Sequence, residues 1–155
     1  MTAQPQDGLI LHASCVALDD ATGLLILGPS GSGKSTLALE LMALGAVLVS
    51  DDRTILRRGG QHDASHAPQP QTLTATAPDT ISGMIEARGV GLLRAEPLPA
   101  ATLRGVVDLS QVETDRLPLR REKALIGVSI PLFYRVDGPQ FAPALIQWLK
   151  GGRCA

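Results

Sequence analysis

The sequence contains few aromatic residues, which make up only 3% of its 155 residues. Proteins that hold single-stranded nucleic acid usually stack its bases on exposed aromatic side chains, so this scarcity argues against such a surface. The net charge of −1 adds no general attraction to nucleic acid or to an anionic membrane. We therefore expect neither a nucleic-acid partner nor a membrane partner.

Long apolar runs and cysteine motifs are also lacking. No apolar run approaches the roughly 20 residues that cross a bilayer, and the first seven residues have no signal-peptide character. Cys15 and Cys154 lie near opposite ends of the chain, and no C-x-x-C spacing indicates a metal site. The sequence therefore predicts a cytoplasmic protein. Its length predicts a single domain over 1–155, with an ordered core over about 9–150.

One motif in the sequence has a specific chemistry. Residues 28–35 match G-x-x-x-x-G-K-[ST], the Walker A or P-loop pattern of nucleotide-binding proteins. Its glycines let successive backbone N–H groups turn towards a polyanion, and the following helix presents its positive end. The pattern predicts that Lys34 reaches the β- and γ-phosphates and that Ser35 binds Mg²⁺. The predicted nucleotide-binding residues are Gly28, Pro29, Ser30, Gly31, Ser32, Gly33, Lys34 and Ser35.

The alternative to a P-loop is a glycine-rich turn that only caps a helix. That reading accounts for the glycines but not for a Lys-Ser pair at the required offset. The flanking segments supply the context that a P-loop needs, because an apolar strand pattern precedes it and a helical pattern follows. We therefore expect a bound nucleotide.

The neighbouring segments predict the fold around this loop. Residues 9–18 and 24–27 have strand patterns, and the turn between them is too short for a parallel crossover. They are therefore expected to form an antiparallel hairpin that leads into the Walker A loop. Residues 34–44 have helical apolar spacing that ends at Gly45, and residues 46–50 predict a strand. The prediction is an α/β P-loop nucleotide-binding fold with a mixed sheet.

The second half of the chain gives weaker signals. Residues 59–71 contain proline- and histidine-rich turns and predict a surface loop without arginine. Residues 81–87 predict a short helix that the following glycines break. Residues 103–109 predict a strand, and 142–150 predict a final amphipathic helix.

Asp51 and Asp52 close the strand after the P-loop helix and are the main catalytic candidates. The carboxyl end of a strand beside a phosphate loop is where nucleotide enzymes hold acidic groups. Adjacent residues of a strand point to opposite sides, so the two carboxylates are expected to have different roles. One would face Mg²⁺ or the transferring phosphoryl group, and the other would contact structure or substrate. The structural alternative is an Asx-type turn.

Four further residues are weaker candidates from local sequence alone. Glu86 is either a second metal ligand or a solvated helix end. His12 is either a site residue brought near the P-loop strand by its hairpin or a hydrogen-bonded sheet histidine. Asp108 is a rival Walker-B-type carboxylate at the end of a strand, and Arg116 has an exposed pattern whose simplest explanation is solvation.

Several separated pieces of sequence match one family together. They are His12, the P-loop 28–35, the Asp-Asp-Arg run 51–53, the segment 85–93 with its Glu-x-Arg-Gly-x-Gly, and Asp-Arg-Leu at 115–117. In these pieces the chain resembles the catalytic, C-terminal domain of HPr kinase/phosphorylase, a bacterial enzyme that acts on a serine of the phosphocarrier HPr. The resemblance covers residues 9 to about 132.

The resemblance implies a function and a set of roles. Asp52 would accept the proton of the substrate serine in phosphorylation and donate it in the reverse direction, while Ser35 and Glu86 would hold Mg²⁺. The remaining residues, which would stabilise the phosphates and position the serine, are His12, Lys34 and Arg116. ATP and Mg²⁺ are the implied cofactors, and an HPr-type phosphocarrier protein is the implied partner. A homo-oligomer is possible.

Departures from the family pattern refine this expectation. The family's N-terminal domain is expected to be absent, as in short alphaproteobacterial-type forms. Residues 131–136 echo only faintly the loop that is tied to dephosphorylation, so kinase activity is favoured over phosphorylase activity. Two alternatives stay open: a small-molecule P-loop kinase, which usually needs an arginine-rich lid, and a nucleotide-sensing regulatory module without catalysis.

Overall fold

The computed structural model describes residues 8–59 and 71–155. Its strands are β1 (Leu9–Leu11), β2 (Ala13–Ala17), β3 (Gly23–Leu27), β4 (Val47–Ser50), β5 (Thr54–Gly59), β6 (Thr72–Thr76), β7 (Met84–Ala87), β8 (Gly91–Arg94), β9 (Ala101–Val112), β10 (Arg121–Leu125) and β11 (Val128–Arg135). Its α-helices are α1 (Lys34–Ala43) and α2 (Phe141–Gly151), and a 3-10 turn covers Asp79–Ile81.

A mixed sheet organises the described residues. Its strands run in the order β1-β5-β6-β9-β3-β2-β4, and β11 joins β9 on one side and β10 on the other. The central strands β3 and β9 are parallel, whereas β2 is antiparallel to both β3 and β4. The predicted α/β P-loop fold with a mixed sheet is therefore confirmed. The antiparallel hairpin β2–β3 that leads into the P-loop is confirmed as well.

Helix α1 follows the P-loop directly and ends where the sequence predicts. The N–H of Gly45 bonds to the carbonyl of Met42 at 3.1 Å, and that of Ala46 bonds to the carbonyl of Leu41 at 3.0 Å. This pair of bonds is a Schellman motif, and Gly45 supports it because it adopts φ 112. The helix therefore ends a few residues before the start of β4.

The single strand predicted over 9–18 is two strands that meet at His12. β1 pairs with β5 up to Leu11 opposite Thr54, whereas β2 pairs with β4 from Cys15 opposite Ser50. Between these ladders, residues 12–14 face residues 51–53; we call this place the corner. The sequence is mostly apolar on both sides of His12, and an apolar run does not indicate which strand it pairs with, so the sequence alone does not reveal the change of partner.

The short helix predicted over 81–87 is wrong. After the 3-10 turn, β7 and β8 form an antiparallel hairpin with Met84 opposite Arg94 and Ala87 opposite Gly91. Ile85 and Ala87 are buried while Glu86 is exposed, which is the two-residue period of a strand. The glycines predicted to break a helix close this hairpin instead, since Gly89 has φ 85.

Two apolar clusters stabilise the sheet, one on each face. One contains Leu37, Leu41 and Leu145, so it packs both helices against β3 and β9. The other contains Cys15 and Leu25 and is built from strands of the curled sheet.

The predicted loop 59–71 lies, beyond its end residues, outside the described part of the chain. Within that part, neither helix has the length and apolar character needed to cross a membrane.

Candidate active site

The P-loop connects the end of β3 to the start of α1. A Cβ added at Gly28 would collide with the side chain of Ser32, so only glycine fits where the loop folds back on itself. Gly33 immediately precedes α1 in a left-handed conformation, φ 100, which glycine adopts without steric cost. The loop shape therefore depends on both glycines of the predicted motif.

The start of α1 is free to receive an anion. Among the described contacts, no side chain caps its N-terminus, and its first turn contains no acidic residue. The backbone N–H groups of a first helical turn have no partner within the helix and stand at its positive end. The geometry is therefore that of a phosphate site.

Lys34 is buried beneath the loop. Its ammonium group donates to the carbonyl of Gly28 at 2.9 Å and to that of Pro29 at 3.2 Å. These bonds hold a positive charge against the backbone of the loop. The predicted contact of Lys34 with the β- and γ-phosphates stays a prediction.

Asp51 is the hub of the site, and it is buried. Its Oδ1 accepts hydrogen bonds from the hydroxyl of Ser14 at 2.8 Å and from that of Ser35 at 2.7 Å. Its Oδ2 accepts the backbone N–H of Glu86 at 3.0 Å. One carboxylate therefore ties β2, α1 and β7 together, and these elements position the remaining site residues.

Asp52 is exposed whereas Asp51 is buried, so the two carboxylates differ as expected. Both follow β4, which ends at Ser50, so a bend of the chain and not strand alternation separates them. The side chain of Asp52 is 59% exposed, and its carboxylate Oδ1 lies 4.0 Å from Nδ1 of His12, which is 65% exposed. Its backbone has φ 70, an uncommon conformation for a residue other than glycine. Such a conformation persists only where surrounding structure holds it, and functional sites are common among those places. The structure therefore brings His12 and Asp52 together at the corner.

A cleft of about 190 Å³ collects most of the predicted residues; we call it the P-loop cleft. It is lined by Ser30, Gly31, Gly33, Lys34, Ser35, Thr36, Asp52, Glu86 and Arg88. The strand alternation of β7 places Glu86 on this side and buries both of its neighbours. The cleft is thus lined by two carboxylates, Asp52 and Glu86, and by two basic side chains, Lys34 and Arg88.

Arg116 is not among the residues that line this cleft. A second groove begins beside the cleft, with which it shares Gly33 and Thr36, and it extends to Val136 and Phe141. Arg116 lines a third groove, which shares only those last two residues with the second. The segment that carries Arg116 is anchored at its base, because Glu113 accepts two hydrogen bonds from Arg121, at 3.1 and 3.0 Å. The predicted role of Arg116 stays a prediction.

Asp108, the rival carboxylate, is held by its own strand. It lies at the level of Leu27 on the neighbouring strand, just before the P-loop. Its Oδ1 accepts from both the backbone N–H and the hydroxyl of Ser110. Among the described contacts, Asp51 and not Asp108 is the carboxylate bonded to Ser35.

The donor set of the cleft fits Mg²⁺. Ser35 directs its hydroxyl proton to Asp51, which leaves its oxygen lone pairs available, and Glu86 supplies an exposed carboxylate. Within residues 8–59 and 71–155, no group of three or more His, Cys, Asp or Glu side chains is placed to hold a metal. Mg²⁺ usually binds one or two protein ligands and completes its shell with waters and substrate phosphates.

Sequence reasoning left Ser14 out of the site and gave Arg88 no role. Arg88 follows Glu86 by two residues, a spacing that puts both on one side of an extended chain, and this signal was available. The contact of Ser14 with Asp51 joins residues 37 positions apart, and no local pattern reveals it.

Comparison with known proteins identifies the family. The family model for the HPr Serine kinase C-terminal domain matches residues 6–132. The HPr kinase/phosphorylase of Limosilactobacillus reuteri (strain DSM 20016) is 34% identical over 133 residues, covering 78% of this chain and 38% of the relative. That of Bacillus velezensis is 38% identical over 115 residues, covering 67% of this chain and 34% of the relative. The chain thus spans little more than a third of the length of these relatives.

A solved structure supports the same fold. The structure of the Hpr(Ser) kinase/phosphatase from Coxiella burnetii matches with a TM-score of 0.66 at 21% identity, covering 92% of this chain and 88% of that chain. The resemblance drawn from the separated motifs is therefore confirmed. By its matched residues and its relatives, this chain belongs to the family of HPr serine kinase C-terminal domains.

Proposed function

We propose that this chain is an ATP-dependent protein serine kinase that phosphorylates an HPr-type phosphocarrier in the regulation of carbohydrate metabolism. Its relatives carry the name HPr kinase/phosphorylase, which supports this activity over a small-molecule kinase or a non-catalytic nucleotide sensor. We further propose that residues 1–155 form one kinase domain, that it acts in the cytoplasm without nucleic acid or membrane, and that phosphorolysis is at most a minor activity.

The observation that carries the proposal is the position of Asp52. An exposed carboxylate, held in a left-handed backbone conformation, lines the same cleft as Lys34 and Ser35. Phosphoryl transfer needs a phosphate cradle, positive charge and a group that receives the proton of the attacking hydroxyl. The P-loop cleft offers all three.

The proposed reaction follows from these places. The P-loop N–H groups and Lys34 bind the phosphates of ATP, and the serine oxygen of the carrier forms a bond to the γ-phosphorus. The bond from that phosphorus to the oxygen bridging the β- and γ-phosphates breaks, ADP leaves, and the serine proton passes to the carboxylate of Asp52. His12 stands beside Asp52 and orients it or the incoming serine.

Mg²⁺ would be held by Ser35 and Glu86, and when bound it would neutralise charge on the β- and γ-phosphates. Asp51 serves this site indirectly, because it fixes the direction of the Ser35 hydroxyl. Positioning and charge stabilisation are the larger part of catalysis in phosphoryl transfer, so this fixed framework is an advantage.

Arg116 is proposed to stabilise phosphate charge, although it lines a different groove from Asp52. Its segment is anchored by the Glu113–Arg121 pair, which does not favour a large swing of the chain. We propose that a second copy of this chain supplies Arg116, in a homo-oligomer.

The deciding experiment is Asp52→Asn. Asparagine tolerates the left-handed conformation and keeps the volume of the side chain, so ATP binding should be retained. Transfer of labelled phosphate from ATP to HPr should fall by at least about 10²-fold, as expected on loss of a general base. Unchanged transfer would contradict the proposed role of Asp52. No serine-linked label from the wild-type chain across several HPr proteins would contradict the kinase itself.

A further inference from the structure

Ser14 carries a fully buried hydroxyl in β2. The hydroxyl donates to Oδ1 of Asp51 at 2.8 Å and accepts the backbone N–H of Asp52 at 3.1 Å. A serine hydroxyl has one proton to donate and two lone pairs to accept with. Ser14 therefore uses its only proton on one member of the acidic doublet and a lone pair on the other.

Nothing in the packing of β2 requires a polar residue at this position. The strand alternates between the two apolar clusters, with Cys15 and Ala17 in one and Val16 in the other. A hydroxyl buried between apolar neighbours costs free energy unless it is hydrogen-bonded. The oxygen of Ser14 is thus explained by the doublet it contacts and not by the sheet.

The contacts of Ser14 continue into the P-loop. Oδ1 of Asp51 accepts from Ser14 and from Ser35 at the same time, so the two hydroxyls fix the direction of one carboxylate oxygen. Ser14 thereby influences where the Ser35 hydroxyl points, without touching the P-loop cleft itself.

The contacts also hold the strained backbone of Asp52. Its N–H bonds to Ser14, and its carbonyl accepts the N–H of Ala13 at 3.0 Å. Both polar backbone groups of Asp52 are therefore tied to β2. Since its φ of 70 is disfavoured for aspartate, such ties are what keeps its carboxylate in the cleft.

We propose that Ser14 is a positioning residue for phosphoryl transfer, setting the Asp51 carboxylate for Mg²⁺ binding at Ser35 and the Asp52 backbone for proton transfer. The role rests on the proposed function, but half of it can be measured without turnover, because Mg²⁺-dependent nucleotide affinity reports on the metal ligands Ser35 and Glu86, both of which Asp51 contacts. A residue that only stabilises the fold would change neither the Mg²⁺-dependent nucleotide affinity nor kcat in the folded protein.

The test is Ser14→Ala in the full chain. We expect kcat for transfer to HPr to fall by roughly 10–100-fold, the usual effect of removing a residue that orients a metal ligand. The Mg²⁺ concentration needed for half-maximal ATP binding, measured by calorimetry, should rise by a similar order. ATP affinity measured without Mg²⁺ should stay within about twofold, because the P-loop is untouched.

Two further variants separate positioning from packing. Cys15→Ala is the matched control: it also removes one buried heavy atom from β2, on the opposite face of the sheet, and should lower the melting temperature while leaving kcat and the Mg²⁺ requirement unchanged. Ser14→Cys keeps the number of side-chain heavy atoms, with a slightly larger atom at the end, but offers only a weak donor and acceptor, so it should show the same loss. If Ser14→Ala does not fold, Ser14→Cys is the variant that tests the positioning role.

The outcomes distinguish this inference from the proposed function. If folded Ser14 variants keep both kcat and the Mg²⁺ requirement within about twofold, the positioning role is overturned. Equal losses in Cys15→Ala would overturn it as well. If the wild-type chain phosphorylates no carrier, the proposed function fails, and a raised Mg²⁺ requirement in Ser14→Ala still supports the tie to Ser35.

Discussion

The two members of the acidic doublet allow the same substitution to be compared at adjacent positions. Asp51 is buried and accepts three hydrogen bonds, whereas Asp52 is exposed and lines the P-loop cleft. We predict that Asp51→Asn destabilises the protein strongly and that Asp52→Asn does not. Both variants should lose phosphoryl transfer, but for different reasons.

The size of the Asp51 effect can be worked out bond by bond. The bonds from Ser14 and Ser35 go to a charged acceptor, and each should weaken by about 1 kcal/mol when the acceptor becomes a neutral amide. The amide nitrogen would then face the N–H of Glu86, which loses its acceptor at a cost of about 1–3 kcal/mol. The sum is about 3–5 kcal/mol of unfolding free energy.

Asp52→Asn has no comparable cost. Its carboxylate is more than half exposed, and its pairing with His12 at 4.0 Å is the kind of surface contact that contributes little. Asparagine is enriched in the left-handed region that Asp52 occupies, so its stability should stay within about 0.5 kcal/mol of wild type.

Urea unfolding followed by circular dichroism measures both variants. For an m-value of about 2 kcal/mol/M, the midpoint of Asp51→Asn should fall by about 2 M, with no change in slope. A stability loss below about 1 kcal/mol in Asp51→Asn would refute the assignment of Asp51 as a buried hub. So would an equal loss in Asp52→Asn, because the two side chains would then share one environment.

Two further predictions concern assembly and thiol chemistry. Arg116→Ala should reduce phosphate transfer to HPr by about 10³-fold, as for other arginines that stabilise a transferring phosphate. If a neighbouring chain supplies the arginine, a mixture of Arg116→Ala and Asp52→Asn chains should recover measurable activity. A mixture no more active than either variant alone would contradict that arrangement. Burial raises the pKa of the Cys15 thiol to about 12, so it stays protonated and unreactive at pH 8 while exposed Cys154 reacts. A thiol reagent should titrate one group in the folded protein and two in urea, and two rapid reactions without urea would contradict it.

The predictable part of the structure rests on local chemistry. The P-loop could be recognised because its glycines and its Lys-Ser pair occur at fixed offsets. The β2–β3 hairpin followed from a connection too short for anything else. The end of α1 at Gly45 likewise follows from a rule that acts within a few residues. Asp51 and Asp52 do face different environments as predicted, but because the chain bends after β4 and not because a strand alternates.

The parts that failed depend on which segments of the chain pair with or contact one another. The strand predicted through His12 breaks because β1 pairs with β5 whereas β2 pairs with β4. An apolar run does not indicate which strand it will pair with. Within the helix predicted over 81–87, residues 84–87 form β7 because β8 pairs with them in a hairpin, and this pairing overrides a weak local preference. The same reason hid Ser14, whose role is visible only against Asp51.

The corner where residues 12–14 face residues 51–53 restricts the chain in a further way. A ladder flanks it on each side, with Leu11 opposite Thr54 before it and Cys15 opposite Ser50 after it. Adding or deleting one residue in either segment would move one ladder against the other by a single step, and in a strand that step turns every inward side chain outward. The number of residues in these two segments is thus as constrained as their identity, and alignments of functional relatives should place no gap in either.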